Sequence, residues 1–127
     1  MSIIHKFEGK TEKGEYQWEG VQANQFSLPD NSNYIKHILI GSDDGAPTFV
    51  IRFFQLPVGS SSPLHKHPHE HGVLILRGKA RVQINDDFQE LSIMDTVFIS
   101  GEDLHQFVNI GNESLGFLCV VPKSGEY

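Results

Sequence analysis

Residues 59–78 read GSSSPLHKHPHEHGVLILRG, and four of the seven histidines of the chain lie in this segment. Alternate residues of a β-strand point to the same face, so His65 and His67 can present their imidazoles to one ion. Pro68 has no backbone donor and bends the chain. We therefore expect a further ligand to come from the start of the strand that follows Pro68.

The third ligand has three candidates. His69, Glu70 and His71 all lie within reach of the bend, and the spacing favours His71. A fourth ligand is predicted at His105, which begins another apolar run downstream. Imidazole suits divalent transition metals, so the pattern indicates a site for one such ion.

Short apolar runs separated by turn residues continue on both sides of this segment. Such runs are typical of an all-β sandwich or barrel, and no stretch sustains helical periodicity. We expect one domain over residues 1–127, in which residues 1–33 form an N-terminal arm of loops and edge strands. The predicted strands are 16–18, 25–28, 34–40, 48–56, 73–76, 80–84, 88–91, 96–99, 106–110 and 115–121.

The composition argues against several partners. With a formal charge of −6, neither nucleic acid nor an anionic membrane surface is an expected partner. The chain contains no run of 18 apolar residues, and its first residues lack the regions of a signal peptide. Cys119 is the only cysteine, so an intrachain disulfide is impossible. The predicted location is the cytoplasm.

The segment quoted above resembles the first motif of the cupin superfamily, G-x5-H-x-H-x3-E-x6-G. Gly59, His65, His67 and Gly78 stand at the family spacing, and His71 occupies the usual glutamate position. The resemblance implies a double-stranded β-helix, or jelly-roll barrel. The histidine at the glutamate position resembles a subgroup of small microbial cupins that bind manganese or a similar metal through four histidines.

The second cupin motif, G-x5-P-x-G-x2-H-x3-N, is only partly present. His105 and Asn109 match it, whereas Met94, Ser100 and Glu102 replace its two glycines and its proline. The departure concerns the turn before His105 rather than the ligand itself. The likeness extends from about residue 38 to the last strand.

Four imidazole ligands are neutral, so they leave the full charge of a divalent ion in place and strengthen its Lewis acidity. The resemblance favours manganese or iron, and nickel, cobalt, copper and zinc stay open. Each ligand imidazole needs a partner for its second nitrogen. Glu70 is a candidate acceptor, and an exposed loop carboxylate is the alternative.

Strand alternation predicts part of the pocket wall around the metal. Counting by two from His105 places Phe107 on the ligand face, and Phe117 shares a face with Cys119. Members of the resembled subgroup place the matching phenylalanine and cysteine near the metal, which favours these residues as pocket wall.

Arg52 is the one charge in an apolar run, and two orientations are open. In the first, Arg52 points to solvent and the side chains of Phe49, Ile51 and Phe53 point inward. In the second, Arg52 shares the interior with Phe54 and holds a substrate anion beside the metal. The second orientation leaves apolar residues on the outer face, which favours a homodimer.

Three functions fit this site. The leading prediction is a metal-dependent oxidoreductase of the dioxygenase type that acts on a small oxygen-bearing organic substrate. The first alternative is a non-redox lyase or isomerase, in which the metal polarises a carbonyl or carboxylate. The second alternative is a cupin that binds a small ligand without turnover, since the fold alone decides little about function.

Overall fold

The structure is a computed structural model that describes residues 1–28, 30 and 32–127. Pro29 and Asn31, which fall within the predicted N-terminal arm, lie outside the described residues. The described residues form two single-turn 3-10 helices, Ser42–Asp44 and Lys123–Gly125, and eleven strands. The strands are β1 (Phe7–Lys10), β2 (Tyr16–Trp18), β3 (Ala23–Ser27), β4 (Asn33–Ile40), β5 (Phe49–Leu56), β6 (His71–Arg77), β7 (Ala80–Ile84), β8 (Asp87–Leu91), β9 (Thr96–Ile99), β10 (His105–Asn109) and β11 (Leu115–Pro122).

Two antiparallel sheets build the barrel. The larger has the order β3-β4-β5-β11-β6-β9, and the smaller has the order β10-β7-β8. The buried core lies between them, and alternate residues of β5, β6, β10 and β11 supply it. The all-β jelly-roll prediction is confirmed.

The strand predictions agree with the structure to within about two residues at most ends. Strand β6 begins at His71, which places this histidine at the start of the strand after Pro68. His105 likewise begins β10. His65 lies outside the named strands and forms an isolated antiparallel bridge with His105. The sequence did not reveal β1, which pairs with β2 as a separate two-stranded sheet.

The β1–β2 hairpin covers part of the outer face of the large sheet. The ring of Phe53, which is fully buried, packs against Trp18 at a centroid distance of 4.9 Å and against Tyr16 at 5.8 Å. The sequence analysis expected a second chain to cover the apolar outer face of this sheet. The hairpin of the same chain covers part of that face instead. Phe49 and Val120 on the same face stay exposed, and the homodimer stays a prediction.

Asn109, the asparagine of the second motif, fixes the turns next to the barrel. Its side-chain amide donates to the carbonyl oxygens of Leu56, Pro57 and Glu113. Its side-chain oxygen accepts from the backbone N–H of Gly111. The residue is 3% exposed, so its role is structural: it joins the end of β5 to the loop between β10 and β11.

Two motif positions that usually carry glycine have left-handed backbone in this chain. Met94 has a φ of 77° and Glu102 a φ of 70°. A side chain in this region costs roughly 1–2 kcal/mol, because Cβ crowds the following carbonyl. Both side chains are exposed, so they gain little from packing in return.

We expect Met94→Gly and Glu102→Gly each to stabilise the fold. Relief of the strain exceeds the added chain entropy by about 0.5–1 kcal/mol, which raises Tm by roughly 2–4 °C. Thermal unfolding followed by circular dichroism measures the change. The control is Glu90→Gly, an exposed position in β8, where Tm should fall instead. A fall in Tm for Met94→Gly and Glu102→Gly would contradict the expectation.

Candidate metal centre

A cavity of about 240 Å³ lies between the two sheets. Five histidines line one part of it, namely His65, His67, His69, His71 and His105. Aromatic and aliphatic side chains line another part, and they include Phe54, Leu56, Phe107 and Phe117. By the same measure one water needs about 10–15 Å³, so the cavity is large enough for a small organic molecule.

The four predicted metal ligands lie together at this cavity. The His67 ring lies 5.0 Å from that of His65, 4.4 Å from that of His71 and 4.9 Å from that of His105, measured between centroids. The rings of His71 and His105 are 5.0 Å apart. Ligand nitrogens of His65, His67 and His105 all lie within 4.8 Å of one another.

The spacing of the nitrogens fits a shared ion. Two nitrogens bound at right angles to one ion, each 2.0–2.1 Å away, are about 2.9 Å apart. The Nε2 atoms of His67 and His71 are 2.9 Å apart. The donor set is purely imidazole, which suits a divalent transition metal and does not distinguish among manganese, iron, nickel, cobalt, copper and zinc.

His69 is a second candidate for the third ligand position. Its ligand nitrogen lies within 4.8 Å of those of His67 and His71, so these residues form a second possible group. The His69 ring stacks flat on that of His67, with centroids 3.9 Å apart and an interplanar angle of 4°. His71 is buried and follows the predicted spacing, whereas His69 is half-buried, and the choice of His71 stays a prediction.

The role predicted for Glu70 stays a prediction. Its side chain is exposed, and the second nitrogens of His71 and His105 have other partners. The Nδ1 atom of His71 lies 2.9 Å from the Cys119 sulfur, and that of His105 lies 2.8 Å from the backbone oxygen of Asp103. Because Glu70 precedes an inward-facing residue of β6, strand alternation turns it toward solvent.

Cys119 joins Arg52 to the histidine cluster. Its sulfur accepts a hydrogen bond from Arg52 Nη2 at 2.9 Å and contacts His71 Nδ1 at the same distance. If His71 binds an ion through Nε2, its Nδ1 carries the proton and donates it to this sulfur. Cys119 then fixes the tautomer that metal binding requires.

His65, His67 and His71 favour the neutral form. Burial, followed by the positive charges of His67 and Arg52, lowers the pKa of His71 to about 3. Burial, then the charge of His105, also lowers the pKa of His65 and of His67. Neutral imidazole is the form that binds metal, so the protein prepares these side chains for an ion at neutral pH.

This preference predicts acid sensitivity of the metal-free protein. A histidine with a lowered pKa in the fold takes up its proton more readily when unfolded, so stability falls as pH drops below about 6.5. For His71 the loss continues to about pH 3. We expect the free energy of unfolding to fall by up to about 1.4 kcal/mol per pH unit for each such histidine.

Urea unfolding between pH 7 and pH 4 measures this dependence. The His71→Gln variant should show a shallower dependence than the wild type. His5 serves as the control, because the hydrogen bond that it donates to Asp44 raises the pKa of this histidine. Its replacement by glutamine should leave the acid sensitivity in place. Stability that is constant over this pH range would contradict the expectation.

All five side chains predicted as pocket wall line the cavity. Phe117 stacks between Phe107, at a centroid distance of 4.7 Å, and Phe54, at 5.5 Å. Cys119 and Arg52 line the same space. Arg52 therefore adopts the inward orientation of the two that the sequence left open, and it is 8% exposed.

The sequence did not reveal the ion pair of Lys36 and Glu126, which lies next to Arg52. Lys36 and Gly125 also line the cavity, and Glu126 bonds to both Lys36 and Arg52. In the sequence, Lys36 was identifiable only as a lone cation in a predicted strand. In the structure it pairs with Phe54 across the sheet. Glu126 is 90 residues from Lys36 along the chain, and no local pattern joins them.

Comparisons with known proteins agree with the fold. Residues 52–121 match the cupin domain family, and the chain belongs to this family. A solved cupin-2 domain from Rhodospirillum rubrum is 30% identical, with a TM-score of 0.77 over 85% of this chain and 73% of its own.

Two further similar proteins have names that state an activity. The chain is 31% identical to the 1-methylthio-D-xylulose 5-phosphate methylsulfurylase of Rhodospirillum rubrum, over 86% of this chain and 70% of the relative. It is 28% identical to the solved polyketide cyclase of Streptomyces resistomycificus, with a TM-score of 0.73, over 82% of this chain and 75% of the cyclase. None of the helices in the described part of the chain has the length and apolarity to cross a membrane.

Proposed function

We propose that this cupin is a metal-dependent enzyme that acts on a small, oxygen-bearing organic substrate. The ion is held by His65, His67, His71 and His105. The observation that carries the proposal is that these imidazoles line a cavity rather than enclosing a point in the core. Structural metal sites are closed by protein ligands, whereas catalytic sites leave a position open to substrate.

Each part of the cavity has a task in this proposal. The ion, when bound, supplies Lewis acidity and, if it is manganese or iron, redox chemistry. Arg52 attracts an anionic part of the substrate through its guanidinium. The stacked rings of Phe54, Phe107 and Phe117 pack against the apolar part and exclude water there.

A dioxygenase-type oxidoreductase is the first candidate reaction class. Support comes from the four-histidine set, whose likeness to manganese-type cupins favours a redox-active ion. Among the described residues that line the cavity, the histidines are candidate general bases and none of the others is a carboxylate. The metal centre is therefore the part of the site best suited to activating the substrate.

A non-redox lyase or isomerase is the second candidate. The names of two similar proteins favour it, since one is a methylsulfurylase of a sugar phosphate and the other a polyketide cyclase. Four neutral ligands also favour it, because they leave the ion strongly Lewis acidic.

One experiment separates the candidates. The purified chain is loaded with manganese, iron or zinc and offered small enols, phenols, carboxylates and sugar phosphates, with and without oxygen. Oxygen uptake that matches substrate loss supports the dioxygenase class. Equal turnover without oxygen, and with zinc, supports the non-redox class.

The control is the double variant His65→Ala, His105→Ala, which should be inactive under every condition. Saturable binding of these compounds by the wild type without any conversion would contradict an enzyme. It would leave a cupin that binds a small ligand.

A further inference from the structure

Glu126 binds two cations that line the cavity, Lys36 and Arg52, and so occupies a position that suits an anion from outside the protein. Its Oε2 atom lies 2.7 Å from Lys36 Nζ, and its Oε1 atom lies 3.4 Å from Arg52 Nη1. The side chains of Arg52 and Glu126 are each 10% exposed, and that of Lys36 is 17% exposed. The carboxylate is thus held by two cations at the edge of the space where the histidines lie.

The register of the large sheet explains how the two cations meet. Arg52 on β5 pairs with Ile38 on β4, and Lys36 lies two residues before Ile38. Residues two apart on a strand share a face, so Lys36 and Arg52 both point into the barrel. Both side chains line the cavity, and the Glu126 carboxylate forms ion pairs with both.

The Arg52 guanidinium does not use all of its hydrogen-bond donors within the described residues. Its Nη2 atom donates to Cys119, and its Nη1 atom makes the long contact with Glu126. Its Nε atom is buried and has no hydrogen-bond partner among the described residues. A guanidinium that is 92% buried normally uses its donors, because a buried unpaired donor costs free energy. The 3.4 Å contact with Glu126 is long for a hydrogen bond, so a carboxylate or phosphate that approaches Arg52 more closely would bind it better than Glu126 does.

The segment that carries Glu126 is held to the barrel mainly by side chains in the described part of the chain. It follows β11 as the single turn Lys123–Gly125, and the backbone N–H groups of Glu126 and Tyr127 bond only to the carbonyl of Lys123 within that turn. Gly125 lies against the His69 ring, where a Cβ would come within 2.7 Å of the ring. The Tyr127 hydroxyl accepts from the backbone N–H of Ser42.

We propose that Lys36 and Arg52 form an anion subsite of the cavity, and that Glu126 fills it as an internal ligand until a carboxylate or phosphate group of the substrate displaces it. That the displacing anion belongs to a substrate rests on the proposed function, whereas the presence of the subsite does not. Displacement exchanges one carboxylate for another anion, so the cavity keeps its charge balance. It also moves Gly125 away from His69 and so widens access to the histidines.

The test measures anion binding in the metal-free protein, so that the outcome does not depend on the metal. Isothermal titration calorimetry with inorganic phosphate and with acetate compares the wild type with Glu126→Gln. Removal of an internal competitor raises the apparent affinity by the inverse of the fraction of sites that the competitor had left free. We expect at least about a tenfold gain for one of the two anions in Glu126→Gln. The anion with the larger gain identifies the group, phosphate or carboxylate, that the subsite selects.

Two further variants separate this effect from a general change of charge. Glu113→Gln is the matched control, since it removes another carboxylate that pairs with a buried arginine, Arg77, away from the cavity. It should leave anion affinity unchanged. Adding Lys36→Met to Glu126→Gln should abolish the gain. Circular dichroism and Tm establish that each variant is folded.

Hydrogen–deuterium exchange supplies the second readout. Saturating phosphate or acetate should speed exchange at Glu126 and Tyr127 in the wild type, because the turn is released. The proposal is overturned if Glu126→Gln binds both anions no better than the wild type. It is also overturned if the control Glu113→Gln gains as much anion affinity as Glu126→Gln does. The metal content of Glu126→Gln stays that of the wild type, so a failed subsite is distinguishable from a failed metal site.

Discussion

His105→Ala should lose its metal. We expect elemental analysis of the untagged wild type, after dialysis against buffer with a divalent metal, to give about one ion per chain. The variant should retain less than about a tenth of that, because removal of one of four ligands costs more than the 10–100-fold in affinity that loss of an outer partner costs. His105 is 5% exposed and its ring lies 4.9 Å from that of His67, so the substitution removes a ligand from within the cluster.

The matched variants make this experiment decide the third ligand as well. His71→Ala should lose the ion as His105→Ala does, whereas His69→Ala should keep most of it. His5→Ala is the control for loss of a histidine, because its ring binds Asp44 and Glu19 away from the cavity. Loss in His69→Ala with retention in His71→Ala would exchange the two assignments. Equal metal in all variants would contradict the site.

Phe53→Ala should cost about 3–5 kcal/mol of unfolding free energy. Phe53 is fully buried under the β1–β2 hairpin, where its ring contacts those of Tyr16, Trp18 and His37. Its removal leaves a cavity between the hairpin and the large sheet. Chemical denaturation of the metal-free protein measures the loss.

The control for this change is Phe88→Ala, which removes the same side chain from an exposed position and should cost less than about 1 kcal/mol. Metal content separates packing from ligation. Because Phe53 faces away from the cavity, folded Phe53→Ala should still bind its ion. A loss of less than about 1 kcal/mol in Phe53→Ala would show that the hairpin does not depend on this contact.

Residue spacing was enough to predict most of the fold and the histidine cluster. The two motifs placed His71 and His105 at strand starts, and alternation along β11 put Phe117 and Cys119 on one inner face. These inferences work because strand geometry has a period of two residues and each motif is local. Three residues were candidates for the third ligand, and the spacing favoured His71 among them.

Long-range contacts and side-chain direction were harder to predict. The orientation of Arg52 depends on Cys119 and Glu126, which lie 67 and 74 residues away along the chain. Glu70 was chosen for its position in the sequence, but the second nitrogens of His71 and His105 are held by a distant cysteine and a backbone carbonyl. The pairing of β1 with β2 has a bulge at Gly9, which hides its alternation.

Trp18 gives the chain a natural fluorescent reporter. It is the only tryptophan, and its indole lies edge-on to the rings of Phe53 and His37 beneath the β1–β2 hairpin. Its emission therefore responds to the attachment of this hairpin to the barrel and not directly to the contents of the cavity. Stopped-flow fluorescence can time the docking of the hairpin during refolding, while metal uptake is followed separately on the opposite face of the same sheet.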